Sequence, residues 1–259
     1  MTTLSTAGQV LRCFSARRQE LTVTEVAELL SLPKSNVSRL LRAMREAGFL
    51  ESVPDSRGYR PGILMFELGH SYRRDSALVA RAHAAVGRVS RQFGHSGYVS
   101  LRDGGDVIGL TFHEGSRMLR VGTPVGQRLP AFAAASGRSL LARLPDEEVR
   151  RLYPAPLAPP SPNAPQDMAE LLARLDAVRR EGFATACDES NPGVGSIAVA
   201  VGGRQPGEDA CLCIVYPLSL VDGTERERMV AALLAEAREI QARPGAVAPE
   251  RAGLRSAAA

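Results

Sequence analysis

The segment Lys34–Ala47 constrains this chain more than any other, because it can bury only one narrow stripe. Its apolar residues Val37, Leu40, Leu41 and Met44 fall at i, i+3, i+4 and i+7, one face of a helix. Ser35, Asn36, Ser38, Arg39 and Arg42 are then left to face outward. Short polar groups and guanidiniums on the N-terminal half of an exposed helix are what the edges of bases in a major groove can bind.

The flanking sequence supplies the frame such a helix needs. Residues 6–17, with Ala7, Val10, Leu11 and Phe14 in helical register, predict a first helix. Thr24 is expected to cap a second, Glu25–Leu30, with Val26, Ala27 and Leu30 inward. Ser31-Leu32-Pro33 reads as the turn, and Pro33 suits the start of the next helix. Gly48 is placed to end it as a C′ glycine. Phe49–Val53 alternates as a strand, Pro54–Gly58 is turn chemistry, and Tyr59-Arg60-Pro61 returns. Three helices and a hairpin over residues 1–61 make a winged helix-turn-helix.

Within it, Arg39 is the candidate for a two-pronged contact to guanine, and Asn36 for an adenine edge. Ser35 and Ser38 are candidates for phosphate at the helix N-terminus, with a helix cap as the alternative for Ser35. Lys34 and Arg42 are expected on phosphates. Thr24 is read as a cap first and a phosphate contact second. Arg57, at the wing tip, either reaches DNA or is a solvated turn residue, and Arg17 and Arg18 add charge without specificity.

A chain of 259 residues leaves room for more than this. Residues 62–77 are read as a linker helix, 78–243 as a mixed domain, and 244–259 as a disordered Ala/Gly/Pro-rich tail. In the mixed domain Leu78–Phe93, Phe132–Leu144, Asp146–Tyr153, Asp167–Glu181 and Glu225–Gln241 read as helices. Ser96–Arg102, Asp106–Phe112, Arg117–Val121, Phe183–Cys187, Ser196–Val201 and Ala210–Tyr216 read as strands. Asp103-Gly104-Gly105 is a hairpin turn, Gly202–Asp209 a looser one, and Pro154–Pro165 a proline-rich surface loop. The order predicts an antiparallel α+β sheet with helices on one side.

The formal net charge of +4 is compatible with a polyanion partner without demanding one. Cys13, Cys187, Cys211 and Cys213 include no Cys-x-x-Cys pair and no histidine cluster joins them, so neither disulfides, nor a metal, nor a cofactor is expected. No charged n-region precedes an apolar core, and no apolar run reaches the roughly 20 residues of a membrane span. A cytoplasmic protein with no membrane partner is the expectation.

These residues resemble the IclR family of bacterial transcription regulators over nearly the whole chain. In the first half the likeness lies in Leu21–Ala27, Leu32-Pro33-Lys34-Ser35, Arg39-Leu40-Leu41, Gly48-Phe49-Leu50, Tyr59-Arg60-Pro61-Gly62 and Glu67-Leu68-Gly69. In the second it lies in Val121-Gly122, Arg128-Leu129-Pro130, Gly137 with Leu140-Leu141-Ala142, Glu181–Ala184 and Asn191–Val194. The resemblance implies a winged helix-turn-helix joined to a GAF-like effector-binding domain. It implies a homodimer or homotetramer on double-stranded operator DNA near a catabolic operon, as repressor, activator or both, answering to a small carboxylate.

It also implies a ligand site between the sheet and the helix beginning Phe132-Ala133-Ala134-Ala135-Ser136-Gly137, whose small residues let backbone N–H groups approach an anion, or else pack tightly on the sheet. Several positions depart from the family pattern. Phe132 stands where histidine is common, and Ala186 and Cys187 replace an acidic pair found in a glyoxylate-responsive member. Ser196 replaces a frequent cysteine, and Cys213 and Val215 replace serines. Most of these changes remove polarity, which predicts an effector with an aromatic or apolar body and one carboxylate. Cys211 and Cys213 share a strand face and are expected as small buried hydrophobes rather than a redox pair. Two other readings compete: an enzyme on a GAF-like domain, which lacks any nucleophile–base or nucleotide fingerprint here, and a DNA-binding protein whose second domain only oligomerises.

Overall fold

Thr22 sets the first boundary of the N-terminal unit: its hydroxyl accepts from the Glu25 N–H at 3.3 Å, while a Glu25 carboxylate oxygen accepts from the Thr22 N–H at 2.7 Å. This reciprocal box starts a helix two residues earlier than expected. The protein is described by a computed structural model covering residues 2–15, 18–74, 77–122, 125–202 and 208–242, with the backbone alone for 70–74. The chain divides into two compact units, Met1–Asp75 and Ser76–Ala259.

In the first unit, α1 spans Thr3–Cys13, β1 Leu21–Thr22, α2 Val23–Leu30, α3 Lys34–Glu46, β2 Leu50–Ser52, β3 Gly58–Pro61 and α4 Ile63–Arg74. The first helix starts and stops earlier than the 6–17 periodicity suggested, and Arg17 lies outside the described residues. Strand β1 was not read from the sequence; Leu21 pairs with Tyr59 and Thr22 with Gly58, so β3 lies between β1 and β2. Val10, Leu21, Val26, Ala27, Val37, Leu41, Met44 and Leu50 form the core, with Leu40 half-buried at its margin. α3 ends as expected at Gly48, with φ +80°. The Gly48 N–H donates to Arg45 O at 3.0 Å and the Phe49 N–H to Met44 O at 2.9 Å, a Schellman closure. Gly62 is required where the chain leaves the wing, since a Cβ there would lie 2.4 Å from Gly48 O.

The second unit begins with α5, Ala77–Phe93, and continues through β4 Ser96–Asp103, β5 Asp106–His113 and β6 Arg128–Pro130. Next come α6 Ala135–Leu141, α7 Asp146–Leu152, α8 Met168–Glu181, β7 Ala184–Cys187, β8 Val194–Gly202, β9 Asp209–Pro217 and α9 Gly223–Ala242. Among the described residues six strands form one antiparallel sheet in the order β6-β5-β4-β9-β8-β7. Residues 117–121, expected as a strand, carry none. The helix expected over 132–144 is broken: Ala131–Ala133 is a 3₁₀ turn, and Ala134 is extended (φ −123°, ψ 140°) before α6 starts. The turn expected at 202–209 lies mostly outside the described residues, as does the tail after 242.

Helices cover both faces of this sheet, not one. Val99, Ile197, Val199, Leu212 and Ile214 meet Val86, Val89 and Phe93 of α5 and Met229, Leu233 and Ile240 of α9. The alternating set Tyr98, Ala184, Ala186, Ala198, Cys211, Cys213 and Val215 packs with Leu140, Leu141, Leu171 and Leu175 of α6 and α8. The sheet is therefore buried on both sides, which explains why β9 is an unbroken buried run from Ala210 to Pro217 instead of alternating.

Candidate functional site

The candidate DNA-facing side lies on α3. Val37 and Leu41 have no exposure and Met44 only 3%. This holds Lys34, Ser35, Asn36, Arg39 and Arg42 in solvent, with Ser38 half-exposed. The helix is preceded by Pro33 and carries no side-chain cap hydrogen bond, so Ser35 is not the cap. Its amino end presents positive dipole, as an anion site requires. Asn36 and Arg39 act together: Arg39 Nη2 donates to Asn36 Oδ1 at 3.0 Å. That bond orients the guanidinium and uses one of the two lone pairs of the amide oxygen expected on adenine.

Thr24 is not the cap that the sequence suggested; Thr22 is, and Thr24 is exposed in the first turn of α2. Arg57 stands exposed in the turn between β2 and β3, and Arg18 is exposed after α1. One cation escaped the sequence reading: Arg45 Nη1 donates to Ser52 Oγ at 3.4 Å, tying α3 to the wing.

In the second unit the expected effector residues gather under the 3₁₀ turn and α6. Phe132, Ala133 and Ser136 are buried, as are Ala186, Cys213 and Val215 on the sheet and Ser196 beside them. Ala186, Ser196 and Val215 are successive cross-strand neighbours on β7, β8 and β9. Cys213 pairs with Tyr98 on β4, and the Tyr98 hydroxyl donates to Ser136 Oγ at 3.3 Å. The Phe132 ring meets Tyr153 edge-on at 5.6 Å. Cys187 separates from this group: strand alternation turns it to the opposite face from Ala186, and it is exposed. Gly137 is a packing glycine, since a Cβ would lie 2.1 Å from Ala131 O.

Burial raises the Cys211 thiol to about 12 and pushes Cys213 well above the ordinary thiol range. Both stay neutral thiols, as the hydrophobe reading requires, and neither is a ready nucleophile. Burial likewise lifts the Tyr98 phenol, which remains a donor at any physiological pH. Among the described residues no group of three or more His, Cys, Asp or Glu is placed to hold a metal ion, and no helix is long and apolar enough to cross a membrane.

Sequence reading missed Arg138 and Glu189, whose buried ion pair joins α6 to the β7–β8 loop. One signal was available: Arg138 is the single charged residue between Arg128 and Arg143.

Comparison with known proteins places both units. Residues 3–54 match the IclR helix-turn-helix domain, and residues 70–242 match the C-terminal domain of IclR bacterial transcriptional regulators. The chain is 28% identical to the transcriptional regulator XynR of Escherichia coli, over 90% of this chain and 95% of that protein. It is 28% identical to the Pca regulon regulatory protein of Pseudomonas putida, over 93% and 83%. A crystal structure of an IclR regulator from a Silicibacter species matches with a TM-score of 0.85 and 26% identity, covering 96% of this chain and 98% of that one. An IclR homologue from Microbacterium hydrocarbonoxydans, complexed with 4-hydroxybenzoate, matches with a TM-score of 0.76 and 25% identity, over 93% and 98%. A helix-turn-helix with one exposed polar helix face on one unit, a doubly covered sheet on the other, and a family match across both lead to one assignment: the chain belongs to the IclR family of DNA-binding bacterial transcription regulators.

Proposed function

We propose that this regulator represses a catabolic operon by seating α3 in the major groove of its operator, and that a small organic acid with an aromatic or apolar body controls the binding. In this reading residues 1–61 bind DNA, 62–77 link, and 78–243 bind effector and oligomerise in the cytoplasm. Arg39 reads guanine with Asn36 as its buttress. Lys34, Ser35, Ser38, Arg42 and Thr24 hold phosphates, and Arg57 meets the backbone from the wing.

The observation that carries the DNA half is the exposed face of α3 with its Arg39–Asn36 bond. The effector half is supported by the apolar set Phe132, Ala133, Ala186, Cys213 and Val215 and by the 4-hydroxybenzoate bound to a relative. A homodimer or homotetramer is supported by α4, which leaves Ile63, Phe66 and Leu68 more than half exposed.

A second reading, a DNA-binding protein whose second unit only oligomerises, is favoured by the close packing of Ser136 on Tyr98.

Anisotropy titration of promoter fragments at low salt tests the first half. Arg39→Ala should weaken specific binding by roughly 1–3 kcal/mol at unchanged melting temperature; no binding by the wild type removes the reading. Thermal shift against aromatic acids, glyoxylate and pyruvate tests the second. A rise with an aromatic acid supports it, tighter glyoxylate binding overturns the effector class, and no shift leaves the oligomerisation reading.

A further inference from the structure

The second unit removes one ion pair from water almost completely. Arg138 on α6 is 2% exposed and Glu189 in the β7–β8 loop 5%. The two meet fork to fork: Arg138 Nη1 donates to Glu189 Oε2 at 2.5 Å and Nη2 to Oε1 at 2.9 Å. The same nitrogens also donate to main-chain carbonyls, Nη1 to Phe132 O at 2.9 Å and Nη2 to Thr185 O at 2.6 Å. From α8, Arg174 Nη1 donates to Glu189 Oε1 at 3.1 Å. Beside Glu189, the Ser190 hydroxyl donates to Ala133 O at 2.9 Å. Both carbonyls of the Phe132–Ala133 turn are thus held from outside it.

A peptide unit is rigid, so a carbonyl pinned to one side sends the next N–H to the other. An anion is attracted by N–H groups and repelled by carbonyl oxygens. The tilt of these two peptide planes therefore sets where the Ala133 and Ala134 N–H groups point; the Ala134 N–H donates to Ala131 O at 3.4 Å, a long bond with which a carboxylate would compete. Stability alone is a poor account of the pair, because an apolar pair of like volume often serves a fold as well.

We propose that Arg138 and Glu189 form a buried clasp that sets the peptide planes of the Phe132–Ala133 wall and thereby the affinity for an acidic effector. The effector part rests on the reading of this wall given above. Both residues act as positioning residues; neither is required to touch the ligand.

Full-length protein carrying Arg138→Met together with Glu189→Leu tests the idea, with Arg138→Lys as a second variant. Lysine keeps the charge for Glu189 but lacks the planar fork that also reaches two carbonyls. Both variants should melt within a few degrees of wild type and bind operator as before. Amide exchange over Ala133–Gly137 should quicken, and calorimetric affinity for 4-hydroxybenzoate should fall, each by about tenfold, the size of a modest coupling between sites. Unchanged exchange and affinity at a retained melting temperature overturn the proposal. So does a double variant that fails to fold while Arg138→Lys behaves as wild type, since the pair then serves the fold only. If wild type binds no aromatic acid yet exchange quickens in the variants, the clasp stands and the effector reading fails.

Discussion

Gly137 shows how one residue can carry the right signal for a different reason. Small side chains at this helix start suggested an anion cradle, and on that view Gly137→Val should abolish effector response while sparing operator binding. The nearest atoms to an added Cβ are Ala131 O at 2.1 Å and Ala131 Cα at 2.3 Å, both backbone. No rotamer can relieve that clash. Gly137→Ala is therefore expected to destabilise the second unit by about 1–3 kcal/mol, read as a lower urea midpoint. Wild-type stability with lost ligand response would restore the cradle. Asn36 and Arg39 were legible because helical spacing alone puts them on one face; their mutual bond was not, because rotamers are chosen by neighbours.

Elements were legible where the period was long and strong, as in α3, α5 and α8, and less so at their ends. Thr22 and Thr24 both qualify as caps by residue type; the pairing of Thr22 with Gly58 in β1–β3 gives Thr22 the extended backbone a cap needs. Thr22→Ala should cost about 0.5–2 kcal/mol. Thr24→Ala should stay within about 0.5 kcal/mol, measured by thermal unfolding. The same box makes a pH prediction. The Thr22 N–H, then its hydroxyl, hold the Glu25 carboxyl below its ordinary range. A lowered carboxyl stabilises above its unfolded pKa, and the gain is lost as pH falls through the folded value. The melting gap between wild type and Glu25→Gln should therefore be widest near neutrality and close in acid; a gap constant with pH counts against the box. The break at Ala134 was illegible, since the alanines around it are good helix formers and only the hydrogen bonds of the 3₁₀ turn to other segments end the run.

At the scale of the molecule, α4 leaves Ile63 67% and Phe66 69% exposed, apolar surface that the proposed homodimer or homotetramer would cover. Ile63→Asp with Phe66→Asp should shift sedimentation toward monomer and weaken operator binding, because two half-sites then bind independently. An unaltered assembly would put the interface elsewhere. The sequence by itself determined the winged helix-turn-helix, the placing of Cys211 and Cys213 on one strand face and the family, because periodicity, turn chemistry and motif order are local properties of the chain. Only the tertiary structure decided that helices cover both faces of the sheet and that Arg138 finds Glu189, 51 residues away, in the interior. Pairing of that kind is set by how strands and helices stack, and a charged residue in a sequence carries no mark of whether water or another charge will face it.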